Sequence, residues 1–143
     1  MQVGLTFNLK PFPAPDLIRG QEKGFREGLP PDWDVEWDTE ETIESVRSAL
    51  STKHEVIMIE ADENSFEKLK NSQPDIVFNI AEGKDGPNRE SYIPVLLEML
   101  DIPYTGSDPM TLSLCLDKGR AKEILSFYKI STPRFQIVSS PSE

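Results

Sequence analysis

The feature that most constrains this chain is a hydrophobic period that switches repeatedly between two values. Val3 to Phe7 is a short apolar run of the strand type. Ile43, Val46, Ala49 and Leu50 then recur at helical spacing. Glu55 to Ala61 reads as a second strand, and Phe66 and Leu69 mark a short helix over Glu63–Asn71. Asp75 to Ile80, set up by Pro74, is a third strand. Tyr92, Ile93, Leu96, Leu97 and Leu100 form the apolar stripe of a helix over Asn88–Leu100. Pro103–Tyr104 opens a short strand or turn. Asp108–Leu116 and Asp117–Tyr128 read as two helices, Pro133–Val138 as a last strand, and Ser139–Glu143 as a polar, frayed tail. Strand and helix thus alternate, and the strands at 56–59 and 76–78 are apolar throughout. That pattern predicts an α/β fold, with a parallel sheet covered by helices on both faces.

One long segment breaks the rhythm. Asn8 to Asp34 contains Pro11, Pro13, Pro15, Pro30 and Pro31 together with Gly20, Gly24 and Gly28, so it reads as mostly loop, with room for a short helix over Asp16–Arg26. A loop of this size in a compact domain is expected to be functional or mobile. Asp38-Thr-Glu-Glu41 has the form of a helix start, a capping oxygen followed by an acid three residues later.

The counts narrow the function classes. At 143 residues the chain suits one domain able to bury roughly 70% of its unfolded surface. Lys and Arg total 15 against 25 Asp and Glu, a formal charge of -10. Nucleic acid and anionic membrane are disfavoured as partners, because both require clustered cations. A single cysteine, Cys115, forbids an internal disulfide and points to a reducing cytoplasm. The first residues show no secretory leader, and no apolar run approaches the roughly 20 residues of a membrane span. With one histidine, His54, most triads and His-based metal sites are removed; at the end of a helix it reads as a partner for terminal carbonyls.

Ligands of open α/β sheets bind beyond the carboxyl ends of the strands. Three loops qualify: 8–13, 81–91 and 105–109. The loop Ala81–Ser91 combines Gly83 and Gly86 with five charged residues, Glu82, Lys84, Asp85, Arg89 and Glu90. Its acids suit an ammonium group and its cations a carboxylate or phosphate; a solvated loop reads equally well. In Thr105-Gly-Ser-Asp-Pro109, Ser107 or Asp108 would cap a helix with Pro109 at its first position, and capping alone explains the pattern. Lys118 would by itself pass for a surface residue, Cys115 for small core, and Trp33 and Trp37 for a cover over a loop or sheet edge.

The run from Leu96 to Lys118 adds a resemblance. Ile102-Pro-Tyr-Thr-Gly-Ser107, an apolar helix and Asp117-Lys118, followed by Thr132-Pro-Arg-Phe135, are similar to the D-alanine–D-alanine ligases, which are ATP-grasp carboxylate–amine ligases. The resemblance covers most of the chain and is strongest from about Asp75 onward. It implies a Rossmann-like pre-ATP-grasp domain over 1–131, with the ATP-grasp domain starting at 132–143. It also implies ATP and Mg2+ as cofactors, with Lys118 contacting ATP phosphate. One wall of the substrate site would hold Glu82, Gly83, Arg89, Glu90, Ser91, Tyr104 and Ser107. No catalytic residue and no metal ligand are expected within these 143 residues, which by themselves should not turn over ATP. Where the family carries His-Gly after the third strand this chain has Glu82-Gly83, and the family's glycine-rich, Glu-containing first loop is replaced by Asn8-Leu-Lys-Pro-Phe-Pro13. A different amino acid or carboxylate substrate is therefore expected. The alternative reading is a non-catalytic module that dimerises or binds a small ligand, since ligases of this type pair through this domain. A receiver-like domain is disfavoured, because Thr6-Phe7-Asn8-Leu9 supplies no acidic cluster at the first strand end.

Overall fold

The computed structural model describes residues 1–10, 37–138 and 140. Most of the proline-rich loop, the helix expected over Asp16–Arg26, Trp33 and most of the tail lie outside the described residues.

Strand β1 (Gln2–Phe7) is the centre of a parallel sheet of order β2-β1-β3, with β2 at Glu55–Glu60 and β3 at Ile76–Asn79. The register sets Leu5 beside Met58 and Phe78, so side chains on neighbouring strands share faces. Val77 continues the pairing outward. Its N–H donates to Pro103 O at 2.8 Å, and its carbonyl accepts from Thr105 N at 2.9 Å. The segment expected to be a strand or turn at Pro103–Tyr104 is therefore a one-residue fourth rung.

Each connection crosses over through a helix. Helix α1 (Glu40–Ser51) starts at Thr39, whose hydroxyl accepts from Thr42 N at 3.2 Å. Its predecessor Asp38 is bound to the sheet side instead, receiving Lys10 N–H at 2.8 Å. Helix α2 (Ser65–Ser72) ends at Gln73, left-handed at φ 44°, just before Pro74 blocks continuation. A 3-10 turn (Arg89–Ser91) leads into α3 (Tyr92–Met99), and α4 (Pro109–Leu116) and α5 (Lys118–Phe127) follow.

Helices cover both faces. Leu5 and Phe7 pack with Ile43 of α1, flanked by Val46, Leu50, Val56 and Phe78. On the other face Ile59 and Val77 pack with Leu69 of α2 and Ile93 and Leu97 of α3. Leu5, Leu69, Val77 and Leu97 are fully buried, each contributing about 1.5–3 kcal/mol relative to exposure. No helix among the described residues is long and apolar enough to cross a membrane.

Four expectations need correction. The strand at Pro133–Val138 is not formed. A strand needs a ladder partner, and this segment runs back along α5, where Lys122 Nζ donates to Pro133 O at 3.3 Å and lies 5.5 Å from the Phe135 ring centre. Cys115 is exposed rather than core, because α4 buries none of its residues fully. Tyr92, counted in the apolar stripe, is 49% exposed: it opens α3 and leans over Gly86 instead of the sheet. At His54 the backbone N–H reaches Leu50 O at 3.1 Å, but the ring does not serve a carbonyl; Nδ1 is buried without a partner among the described residues.

Candidate functional site

Because the strands are parallel, their carboxyl ends lie on one edge, where polar side chains bind the loops together. Thr6, fully buried, donates through its hydroxyl to Asn79 Oδ1 at 2.7 Å. The same oxygen receives Ala81 N–H at 3.2 Å, and Asn79 N–H reaches the Thr105 hydroxyl at 3.2 Å. Asn8, 1% exposed, donates through Nδ2 to Ala61 O at 2.8 Å and accepts Gly83 N–H at 2.7 Å. These bonds satisfy polar groups that would otherwise be buried at some cost, and they fix the three loops relative to the sheet.

Gly83 stands in the left-handed region at φ 76°, and a Cβ there would lie 2.5 Å from Arg89 O. Glycine is required, since it lets the loop fold onto its own exit. The indole N–H of Trp37 donates to Gly83 O at 3.3 Å, and Lys84 Nζ lies 5.8 Å from the Trp37 ring centre and 3.7 Å from Glu60. Trp37 thus covers the loop, as one of its expected roles required.

Beyond this edge lies a groove of about 740 Å3. Pro87, Asn88 and Arg89 form one wall, and Leu114, Lys118 and Arg120 contribute to the other. Lys118 is placed by capping. Asp117 closes the first turn of α5 by accepting Arg120 N–H at 3.0 Å, so Lys118 is the first helical residue. Asp108 starts α4 in the same way, receiving Met110 N–H and Thr111 N–H at 3.0 Å each, with Pro109 next. The Thr111 hydroxyl, foremost, holds the Asp108 carboxyl below the usual range. The cations Arg89, Lys118 and Arg120 thus face one space, together with the Asp117 carboxylate that caps α5. Arg120 also lies 3.4 Å from Glu123. A smaller cavity of about 290 Å3, with Asp62, Ser65, Lys84 and Tyr92 on its walls, shares Gly83 and Arg89 with this edge. Asp62 is held below the ordinary carboxylate value, chiefly by the hydrogen bond from Lys68 at 2.6 Å.

The structure brings together Gly83, Arg89 and Lys118. Ser91 stands behind them, 5% exposed, its hydroxyl donating to Asn88 O at 2.7 Å. Glu82 is exposed and Glu90 half-buried, and neither lines either cavity. Ser107 is exposed and leaves the capping to Asp108. The Tyr104 hydroxyl turns to Glu98 Oε1 at 3.0 Å, and desolvation, then that carboxylate, pushes its pKa up. Asn8, Thr6 and Asn79 were missed as site residues. A polar residue ending an apolar run is the signal that could have found them.

Curated proteins supply the comparison. A D-alanine–D-alanine ligase of Moorella thermoacetica is 39% identical over 92 residues, 64% of this chain and 29% of that protein. An uncharacterized protein of Sinorhizobium fredii is 33% identical over 116 residues, 75% of this chain and 34% of that protein. A D-alanine–D-alanine ligase of Pelotomaculum thermopropionicum is 36% identical over 98 residues, 68% of this chain and 30% of that protein. Over these stretches the chain is similar in sequence to D-alanine–D-alanine ligases. It spans about a third of the length of these relatives. The crystal structure of the Bacillus anthracis D-alanine–D-alanine ligase complexed with ATP shares its fold, with a TM-score of 0.62 over 94% of this chain and 38% of that one, at 24% identity. No family model matches the chain.

Proposed function

We propose that this chain is the N-terminal region of an ATP-dependent carboxylate–amine ligase, that it forms one wall of the substrate site, and that it presents Arg89 and Lys118 to the phosphates of ATP. The observation that carries the proposal is the convergence of Arg89, from the loop after β3, and Lys118, from the start of α5, on one groove. The relatives named as ligases and the neighbour complexed with ATP support the same reading.

The residues present suit a polyanion. The cations Arg89 and Lys118 outweigh the one carboxylate on the same groove, Asp117, and favour phosphate charge over neutral ligands. When bound, ATP would supply the phosphoryl group that activates a carboxylate toward an amine. The chain's own part is positioning: Arg89 and Lys118 orient and neutralise phosphate oxygens, while Gly83 and Ser91 keep the loop in place. No group of three or more His, Cys, Asp or Glu suited to a metal ion occurs among the described residues. Operation in the cytoplasm fits the lone cysteine.

The test uses the protein as its gene encodes it. ATP-dependent phosphate release is measured across a panel of amino acids, for the unmutated protein and for Arg89→Ala and Lys118→Ala. Loss of one charge-assisted contact is worth about 1.5–3 kcal/mol, so each variant should bind ATP or turn over about 10- to 150-fold less well. Unchanged activity in both variants would refute the assignment.

A second reading, a dimerisation module, is favoured by one observation. Tyr92, Val95 and Met99 lie at helical spacing along α3 and are 49%, 39% and 67% exposed. Light scattering distinguishes a stable dimer from a monomer.

A further inference from the structure

Asn8 carries no role in the reading above, yet it is the most completely used polar side chain at the sheet edge. It is 1% exposed, and its amide binds two backbone groups that lie 53 and 75 residues away in sequence, Ala61 O and Gly83 N–H. The sheet does not need it: Ala61 N–H already reaches Phe7 O at 2.8 Å, and the β1–β3 pairing has ended at Thr6 and Asn79. What Asn8 adds is a fixed position for Gly83. From Gly83 the constraint passes directly to Arg89, because at φ 76° a Cβ on Gly83 would stand 2.5 Å from Arg89 O and 2.8 Å from Arg89 C. The Gly83 Cα thus packs against the Arg89 backbone with no room for even a methyl group, and parts packed that tightly transmit a displacement instead of absorbing it. Asn8 itself borders neither cavity.

We propose that Asn8 is a positioning residue for the ATP groove: through Gly83 it holds the backbone of Arg89 where its guanidinium meets the ligand. This rests on the proposed function only for the identity of the ligand.

Two measurements on the full protein test it. Hydrogen exchange reads the strut directly. In Asn8→Ala, exchange should rise over 83–91 while Leu5 and Ile59 stay protected. The second variant, Asn8→Asp, keeps an acceptor for Gly83 and should retain protection over 83–91 that Asn8→Ala loses. ATP titration then reads the coupling. Asn8→Ala should weaken binding about fivefold or more, but add almost nothing in an Arg89→Ala background, as expected of residues that act through one another. Additive losses would overturn the proposal, and so would unchanged exchange over 83–91 or equal loss of protection in both Asn8 variants. If the unmutated protein binds no ATP while Asn8→Ala still loosens 83–91, the ATP reading fails and the hold of Asn8 on Arg89 stands.

Discussion

Two glycines with positive φ make a controlled experiment on the loop that carries Arg89. Gly83 stands at φ 76° and Gly106 at φ 109°. A side chain at either position takes up a strained backbone, at a cost of about 1–2 kcal/mol. There the similarity ends. A Cβ at Gly106 meets nothing within 4 Å, whereas one at Gly83 meets Arg89 O at 2.5 Å, a backbone atom that cannot swing aside. Relieving that contact pulls Gly83 N–H off Asn8 Oδ1 and leaves a buried amide unpaired, adding about 1–3 kcal/mol. Gly83→Ala should therefore cost about 2–5 kcal/mol and Gly106→Ala about 1–2 kcal/mol. At this chain length a loss of 1 kcal/mol lowers Tm by about 3 °C, so thermal unfolding followed by circular dichroism should show drops of about 6–15 °C and 3–6 °C. Equal drops, or a larger one for Gly106→Ala, would refute the packing argument.

Other residues give independent checks. Leu97→Ala, at a fully buried position between α3 and the sheet, should cost about 2–5 kcal/mol in urea unfolding, while Met99→Ala two residues on, 67% exposed, should stay within about 0.5 kcal/mol. Thr39→Ala removes the oxygen that caps α1 and should cost about 0.5–2 kcal/mol by the same assay. The Lys68–Asp62 pair sets a pH dependence. The Asp62 pKa is lowered by folding from its ordinary value of 3.8, so the pair's contribution is fully present above that value and is lost as pH falls through the lowered one. The partners are partly exposed, so the contribution is at most about 1 kcal/mol. The Tm gap between the unmutated protein and Lys68→Met should close as pH drops below 3.8, and a gap that persists in acid would contradict the pairing.

The elements that could be read from sequence are those whose signals are local. Ile43 and Val46 declared a helix, the run at 76–78 a buried strand, and Asp108-Pro109 a helix start, because each depends on neighbours within one or two turns. Pro133–Val138 misled because a strand also requires an edge to join, which no local pattern encodes. Cys115 misled because an apolar composition says nothing about whether a helix is covered on one side or two. In the site, Arg89 stood out as one of five charged residues in its loop, whereas Lys118, by itself a surface lysine, stood out only through the resemblance carried by 102–107 and 117–118. Asn8 was not, since an asparagine after a strand ordinarily marks a turn, and its meaning depends on Gly83, 75 residues away.

The central claim, that Arg89 and Lys118 form one phosphate-binding groove, is tested most directly by titrating ATP into the isotopically labelled protein while following backbone amide resonances. Saturable shifts are expected, concentrated at 87–89 and 117–120 and lost in Lys118→Ala. Saturable binding with no shifts at those residues, or shifts confined to the opposite edge around 70–74, would contradict it.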